Sequence, residues 1–293
     1  MLREPVVAGQ FYSSSVNLLK KEIAGYIDER AEKTKALGAV VPHAGYVYSG
    51  ETAGAVYSRL VLPATVVLIG PNHTGHGENY SIQVEGSWRM PFGEVQIDSV
   101  LAKEILESSR YFGISEFESP LSNSLSRGER NKVSGYLVED DAAHEYEHSI
   151  EVQIPFLQYL KEDIRIVPII LSHADIDVCR NLGKAIAAAI SGKKQNVLVI
   201  ASSDMTHYES AESAKEKDEK AIHSIVNLDE EELISCIGKF HISMCGYIPS
   251  AVTLVACKEL GAKKAELVKY TNSGEKSGDY SQVVGYAGII ITN

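Results

Sequence analysis

"TVVLIGPNHTGHG", residues 65–77, decides how the rest of the chain is read. Its first six residues are mostly β-branched, with no alternating polar positions, which is the pattern of a strand covered on both faces. A Gly-Pro turn then ends the strand and delivers His73; a second histidine, His76, follows between two glycines. A strand buried on both sides needs a helical layer above and below it. The stretch therefore predicts an α/β fold with a titratable side chain just past the strand's carboxyl end.

Working outward, "GAVVP" (38–42), "IRIVPIIL" (164–171), "VLVIAS" (197–202) and "AELVKY" (265–270) read as further buried strands. Helical spacing connects Val16, Leu19, Ile23 and Ile27 after a Ser cluster, and Val178, Leu182, Ile186 and Ile190 after a capping Asp175. A third helix is expected from Val252 to Leu260, with Pro249 in its first turn. Strands alternating with helices predict a three-layer α/β/α sandwich around a mixed, largely parallel sheet. With no repeat and no strong linker, residues 1–293 read as a single domain. The Ser-rich stretch 115–135 breaks the order and reads as a long excursion: a lid, a binding loop or subunit contact, or an insertion with no role.

The 293 residues are 44% hydrophobic, ample for one large core, and carry a net charge of −11. An acidic chain without Lys/Arg runs excludes nucleic acid and anionic membranes as the main partner. No signal peptide and no membrane span is legible. Cys179, Cys236, Cys245 and Cys257 form no CxxC pair, so free thiols in a reducing, cytoplasmic setting are expected.

Three strands are followed by a histidine: His43 in "VVPHAGYVYSG", His73, and His207 in "VIASSDMTHYES". Sites in open α/β sheets form outside the strands' carboxyl ends, so neighbouring strands would gather these imidazoles. One histidine alone is more readily a turn residue; three with the same placement are not. His76 lacks that support and is expected to face solvent. Cys245 precedes the third helix, whose dipole favours a thiolate, a soft-metal ligand; the alternative is a small buried hydrophobe. "HEYEH" (144–148) spells the zincin motif H-E-x-x-H, but polar residues precede it and Pro155 follows, so zincin chemistry is discounted. His148 and Glu151, three apart, would share a helix face toward the pocket or form a surface pair.

Taken in order, "REPVVAGQFY" (3–12), "PHAGYVYSG" (42–50), "GPNH" (70–73), "EHSIEVQIPFL" (147–157), "SSDMTH" (202–207), "MCGYIP" (244–249), "YTNSG" (270–274) and "VVGYAG" (283–288) resemble the Memo family almost end to end. Members are similar to class III extradiol dioxygenases, non-haem iron enzymes. The resemblance implies one dioxygenase-like α/β domain with a pocket at the sheet's edge. It implies metal ligands at His43, His73 and Cys245, the cysteine standing where the dioxygenases carry Glu. Asp204 and His207 match further pocket residues, with His207 in the acid–base position. Phe11 falls at the pocket rim, and Tyr46, in a matched motif, is expected with His148 and Glu151 to contact substrate. Tyr208 stands where Trp is common, the 115–135 insertion is longer than expected of animal members, and His76 and His144 match no family motif.

A thiolate in place of a carboxylate favours copper or zinc over hard cations and leaves iron(II) possible. The expected cofactor is a transition metal, Fe(II) or Cu, with Zn as the alternative. Three function classes stand. The first is a metal-binding protein with redox or dioxygenase-like chemistry, in which His207 moves a proton and Asp204 orients it. The others are a non-catalytic ligand- or peptide-binding module and a zinc-dependent hydrolase. The expected partner is a small molecule or peptide in the pocket; a homo-oligomer is possible.

Overall fold

The apolar runs form the strands of one sheet. The computed structural model describes residues 1–115, 135–193 and 196–293. Strands β1 (Leu2–Arg3), β2 (Gly38–Val41), β3 (Thr65–Pro71), β4 (Tyr80–Ile82), β5 (Ser87–Met90) and β6 (Gly93–Ile97) come from the first third of the chain. They are joined by β7 (Val138–Glu139), β8 (Arg165–Leu171), β9 (Val197–Ser202), β10 (His207–Glu209), β11 (Lys264–Asn272) and β12 (Val283–Thr292). The main path runs β1-β5-β6-β8-β3-β9-β2-β12-β10. Its centre, β6-β8-β3-β9-β2, is parallel throughout, while β12 and β5 join it antiparallel. Every residue of β2, β3 and β9 is buried, as unbroken apolar runs require. Because these strands are parallel neighbours, their carboxyl ends open on one edge.

Helices α1 (Val16–Tyr26), α2 (Tyr46–Arg59), α3 (Ser99–Ser115), α4 (Ala142–Glu145), α5 (Ile154–Leu160), α6 (Ile176–Ser191), α7 (Ala211–Val226), α8 (Glu230–Phe240), α9 (Tyr247–Glu259) and α10 (Gly274–Ser277) complete the chain. α1, α2 and α5 pack together as one layer, and α3, α6, α9, α8 and α7 as the other. The three-layer α/β/α fold is thus what the sequence predicts. α1 buries Leu19 and Ile23, and the Asp175 side chain accepts from the Val178 N–H to cap α6. Pro249 lies in the first turn of α9, where its missing N–H does no harm.

Two expectations need correction. "AELVKY" is no doubly covered strand: β11 is only partly buried and pairs antiparallel with β12 alone. The buried strand there is β12, whose Gly285 and Gly288 weaken its pattern in sequence. His148 and Glu151 do not share a helix face, because the helix starts later: Glu151 opens a single 3-10 turn (Glu151–Gln153) ahead of α5. Of the Ser-rich excursion, 116–134 lie outside the described residues. All four cysteines are free, and among the described residues no helix is long and apolar enough to cross a membrane.

Candidate functional site

At the open edge β2 ends at Val41, and the chain turns through Pro42 and His43 before α2 begins. Next to β9, β3 ends at Pro71 and His73 follows after one residue. The third contributor, His148, comes from the irregular segment between α4 and the 3-10 turn. Gly70 lets this segment close on β3, since a Cβ there would lie 2.4 Å from Ser149 Oγ. Gly246 does the same for Cys245: a Cβ would lie 2.4 Å from Ser203 Cβ, so only glycine brings that loop onto the end of β9.

The imidazoles of His43, His73 and His148 converge. Their ring centroids are 5.2 Å apart for His43–His73, 5.7 Å for His43–His148 and 4.7 Å for the stacked His73–His148 pair. One nitrogen from each lies within 4.8 Å of the other two, close enough for the cluster to hold a metal ion. Cys245 Sγ is 3.3 Å from His43 Nε2 but lies outside this three-way set.

The hydrogen bonds decide which nitrogen faces the cavity. Ser202 Oγ gives its only proton to the Ser149 carbonyl, 2.6 Å away, so at 3.0 Å from His43 Nδ1 it can only accept. His43 therefore carries its proton on Nδ1 and offers the Nε2 lone pair. Glu147 does the same for His73, its Oε1 lying 2.9 Å from Nδ1; His148 Nδ1 stands 3.4 Å from the same oxygen, within ion-pair range but not hydrogen-bonded to it. Burial pushes the Glu147 carboxyl up, but the His73 hydrogen bond and charge, the Ser149 N–H and His148 together hold it down to about 2. An ionised carboxylate only accepts, so His73 presents Nε2. A carboxylate behind a ligating imidazole is the usual support of a metal site.

Burial sets the remaining charges. It lowers His43 well below the ordinary histidine value, reinforced by His73, His148 and His207, and it lowers His148 against the pull of Glu147. At His73 burial lowers too, but Glu147 and Asp204 outweigh it and the ring's pKa rises. Burial, reinforced by Asp204, pushes the Cys245 thiol up, so the α9 dipole does not make it a thiolate. Asp204 itself is pushed by burial up to about 6, against the His43 amide, His207 and the Ala44 amide.

His207 and Asp204 both line the cavity, but Asp204 is not the group that holds His207. Asp204 Oδ1 accepts from the His43 and Ala44 N–H groups at 2.8 and 3.3 Å. His207 is held instead by Ser243: its amide donates to Oγ at 2.8 Å, and Nδ1 is 2.9 Å from the carbonyl. A carbonyl only accepts, so His207 also offers Nε2.

The cavity over these groups has a volume of about 700 Å³, the size of a small-molecule site. Phe11 forms part of its rim, edge-on to His148 with centroids 5.0 Å apart. Tyr46 and Glu151 lie behind it. The Tyr46 hydroxyl donates to the Val152 carbonyl at 2.7 Å. Glu151 accepts from the Arg3 guanidinium, the Tyr12 hydroxyl and the Val6 and Val7 amides. It anchors the segment that carries Phe11. His76 is exposed, as expected.

H-E-x-x-H does not form a helical metal motif, because α4 ends at Glu145. The supports Glu147, Ser202 and Ser243 were missed. For Glu147 the signal was its place beside His148 in "EHSIEVQIPFL"; nothing local marked the two serines.

The model of a family described as Memo-like protein matches residues 3–290. A MEMO1 family protein of Methanopyrus kandleri is 40% identical over 304 residues, covering 99% of this chain and 99% of its own. One of Aquifex aeolicus is 40% identical over 293 residues, covering 99% and 98%. One of Methanosarcina barkeri is 41% identical over 293 residues, covering 99% and 100%.

Proposed function

The chain belongs to the Memo-like protein family, and from that premise we propose a metal-dependent protein with redox or non-haem dioxygenase-like chemistry on a small substrate. The observation that carries the reading is the convergence of His43, His73 and His148, with His43 and His73 fixed through Nδ1 and His148 turned with Nδ1 towards Glu147. Three imidazoles suit Fe(II), Cu or Zn and disfavour hard cations. In this proposal His148 replaces Cys245 in the ligand set inferred from sequence, and the thiol stays beside His43 as a neutral neighbour. When bound, iron or copper would supply a Lewis-acidic, redox-capable centre, and zinc a Lewis acid alone.

The chain's own groups do the rest. His207, with Nδ1 held by the Ser243 carbonyl, keeps Nε2 to take a proton from a substrate hydroxyl. Asp204 fixes the His43 backbone, so the imidazole stays aimed at the cavity. Phe11 restricts water on the His148 side. A non-catalytic binding module is favoured by one observation: Val47 and Tyr208 at the cavity mouth are 57% and 74% exposed.

The test is metal analysis of protein purified without chelator or nickel, followed by oxygen uptake with catechols under each metal. Metal bound in a one-to-one ratio, lost in His43→Ala and His73→Ala, with oxygen consumption abolished in His207→Ala, supports the reading. Metal retained by both histidine variants sinks it. Metal binding without turnover of any catechol leaves the binding-module reading in its place.

A further inference from the structure

The cavity's charge is lopsided. Among the described residues that line it there is neither Lys nor Arg, while Asp204 and Asp279 both do. The amino end of α2, which would draw an anion, is already served. His43 and Ala44 donate their amides to Asp204, and the Tyr46 amide donates to the Phe11 carbonyl at 2.7 Å. Lys276, next to the lining residue Ser277, pairs instead with Glu51. A phosphate or carboxylate is normally met by an Arg fork or a Lys, and none is offered here.

The outer wall offers something else. Tyr208 is 74% exposed and holds a φ of 59°, a left-handed conformation that a bulky side chain adopts only when its surroundings impose it. The cause is a slip in the β10–β12 register between His207 and Glu209, which turns the ring to the mouth. Tyr48, in the first turn of α2, adds a second ring, 39% exposed. Asp279 holds Oδ1 on the Ser281 amide and hydroxyl at 2.8 and 2.6 Å, and its Oδ2 has no partner among the described residues.

We propose that the outer half of the cavity binds the positively charged nitrogen of a small amine, seated against the Tyr48 and Tyr208 rings and facing Asp279. Aromatic faces attract a cation through their quadrupole, and a carboxylate with a free oxygen supplies the hydrogen-bond acceptor. The inference deepens the reading of this cavity as the reaction site: the amine end is held at the mouth, and the rest of the molecule reaches the imidazoles.

Three probes of one shape test it: phenethylamine, phenethyl alcohol and phenylacetate, titrated into metal-chelated protein by calorimetry. The amine is expected to bind about tenfold more tightly than phenylacetate, with the alcohol between them. Asp279→Asn and Tyr208→Ala should each shrink that ratio to about threefold or less, while Tyr208→Phe, which keeps the ring, should preserve it. Phenylacetate binding as tightly as the amine, or a ratio unchanged in both disruptive variants, overturns the proposal. Zinc uptake measured on the same preparations separates the two readings. Zinc bound without amine preference overturns this inference alone; amine preference without zinc uptake overturns the metal reading alone.

Discussion

His144 and His148 sit four residues apart in "HEYEH", and the fold gives them opposite roles. His144 is fully buried, its two ring nitrogens facing the Asp140 carbonyl at 3.0 Å and the Pro168 carbonyl at 3.3 Å, with Trp88 edge-on. Both nitrogens face backbone carbonyls inside the core, away from the cavity, and the neutral ring donates to one of them. His148 has one nitrogen turned to Glu147 and the other to the cavity beside His43 and His73. The Arg3 guanidinium separates the two regions. It stacks on Trp88, donates to the His144 and Glu147 carbonyls and pairs with the buried Glu151. The difference teaches that a histidine becomes functional through a nitrogen left facing a cavity, and that a buried polar cluster beside it holds it in place.

The largest expected effect is on the satisfied side. Glu151→Ala leaves Arg3 buried without its carboxylate, a change that typically costs about 3–5 kcal/mol. Denaturant unfolding at neutral pH reads it. A loss under about 1 kcal/mol would mean that the N-terminal segment is not anchored as described. The next effect is pH-dependent. Burial lowers His144 to about 4, against the two carbonyls and with Arg3 adding to the fall. Its folded value lies below its unfolded one, so stability is complete above about pH 6.5 and is lost as pH falls towards 4. The amount is on the order of 3 kcal/mol across that window. His144→Gln should therefore flatten the wild-type decline between those pH values, and equal slopes would contradict the assignment.

On the functional side, Glu147→Gln should leave the fold intact and weaken metal binding by about 10–100-fold, the usual cost of removing an outer-shell partner. An amide can donate as well as accept, so the Nδ1 proton of His73 is no longer enforced. Nitrogen NMR of the metal-free protein should show mixed tautomers at His73. Unchanged tautomers with unchanged affinity would make Glu147 merely structural.

Much of this was legible in sequence because it follows from local chemistry. Unbroken apolar runs marked β2, β3, β8 and β9, and the Gly-Pro turn marked His73. The misses share a cause. β12 carries glycines that lower its strand signal, and they are there because Asp218 and the α2 side chains Val56 and Thr52 press against it. Glu151 and Tyr46 were expected in the cavity because they stand near pocket residues in sequence. Their true partners are far off in sequence, Arg3 lying 148 residues from Glu151 and Val152 106 residues from Tyr46. A helix face for His148 and Glu151 follows from their i, i+3 spacing alone. Glu147, with Oε1 accepting from the Ser149 amide at 2.8 Å and Oε2 from the His73 amide at 2.6 Å, holds the segment in a turn instead.

The smallest expected effect decides which side of the comparison Cys245 belongs to. Its sulfur is 3.3 Å from His43 Nε2 and 3.7 Å from the Asp204 carbonyl. Near a lone pair on Nε2 and a carbonyl oxygen, both acceptors, the group that satisfies the arrangement is a thiol that donates. Burial and Asp204 favour the same state. Binding as thiolate would require the proton to leave a site where a second negative charge, Asp204, already stands, whereas His148 offers its nitrogen with no proton to lose. Cys245→Ser keeps a donor of similar size, so it should change zinc or iron(II) affinity by less than about threefold, under about 1 kcal/mol. His148→Ala should cost more than tenfold in the same anaerobic competition titration. The reverse order, with the serine variant losing more, would restore the cysteine as the third ligand and make His148 the substrate contact. Copper(I) sharpens the result, since it is the ion that most favours sulfur. If Cys245→Ser matters for copper alone, the thiol is a neighbour that only a soft metal recruits.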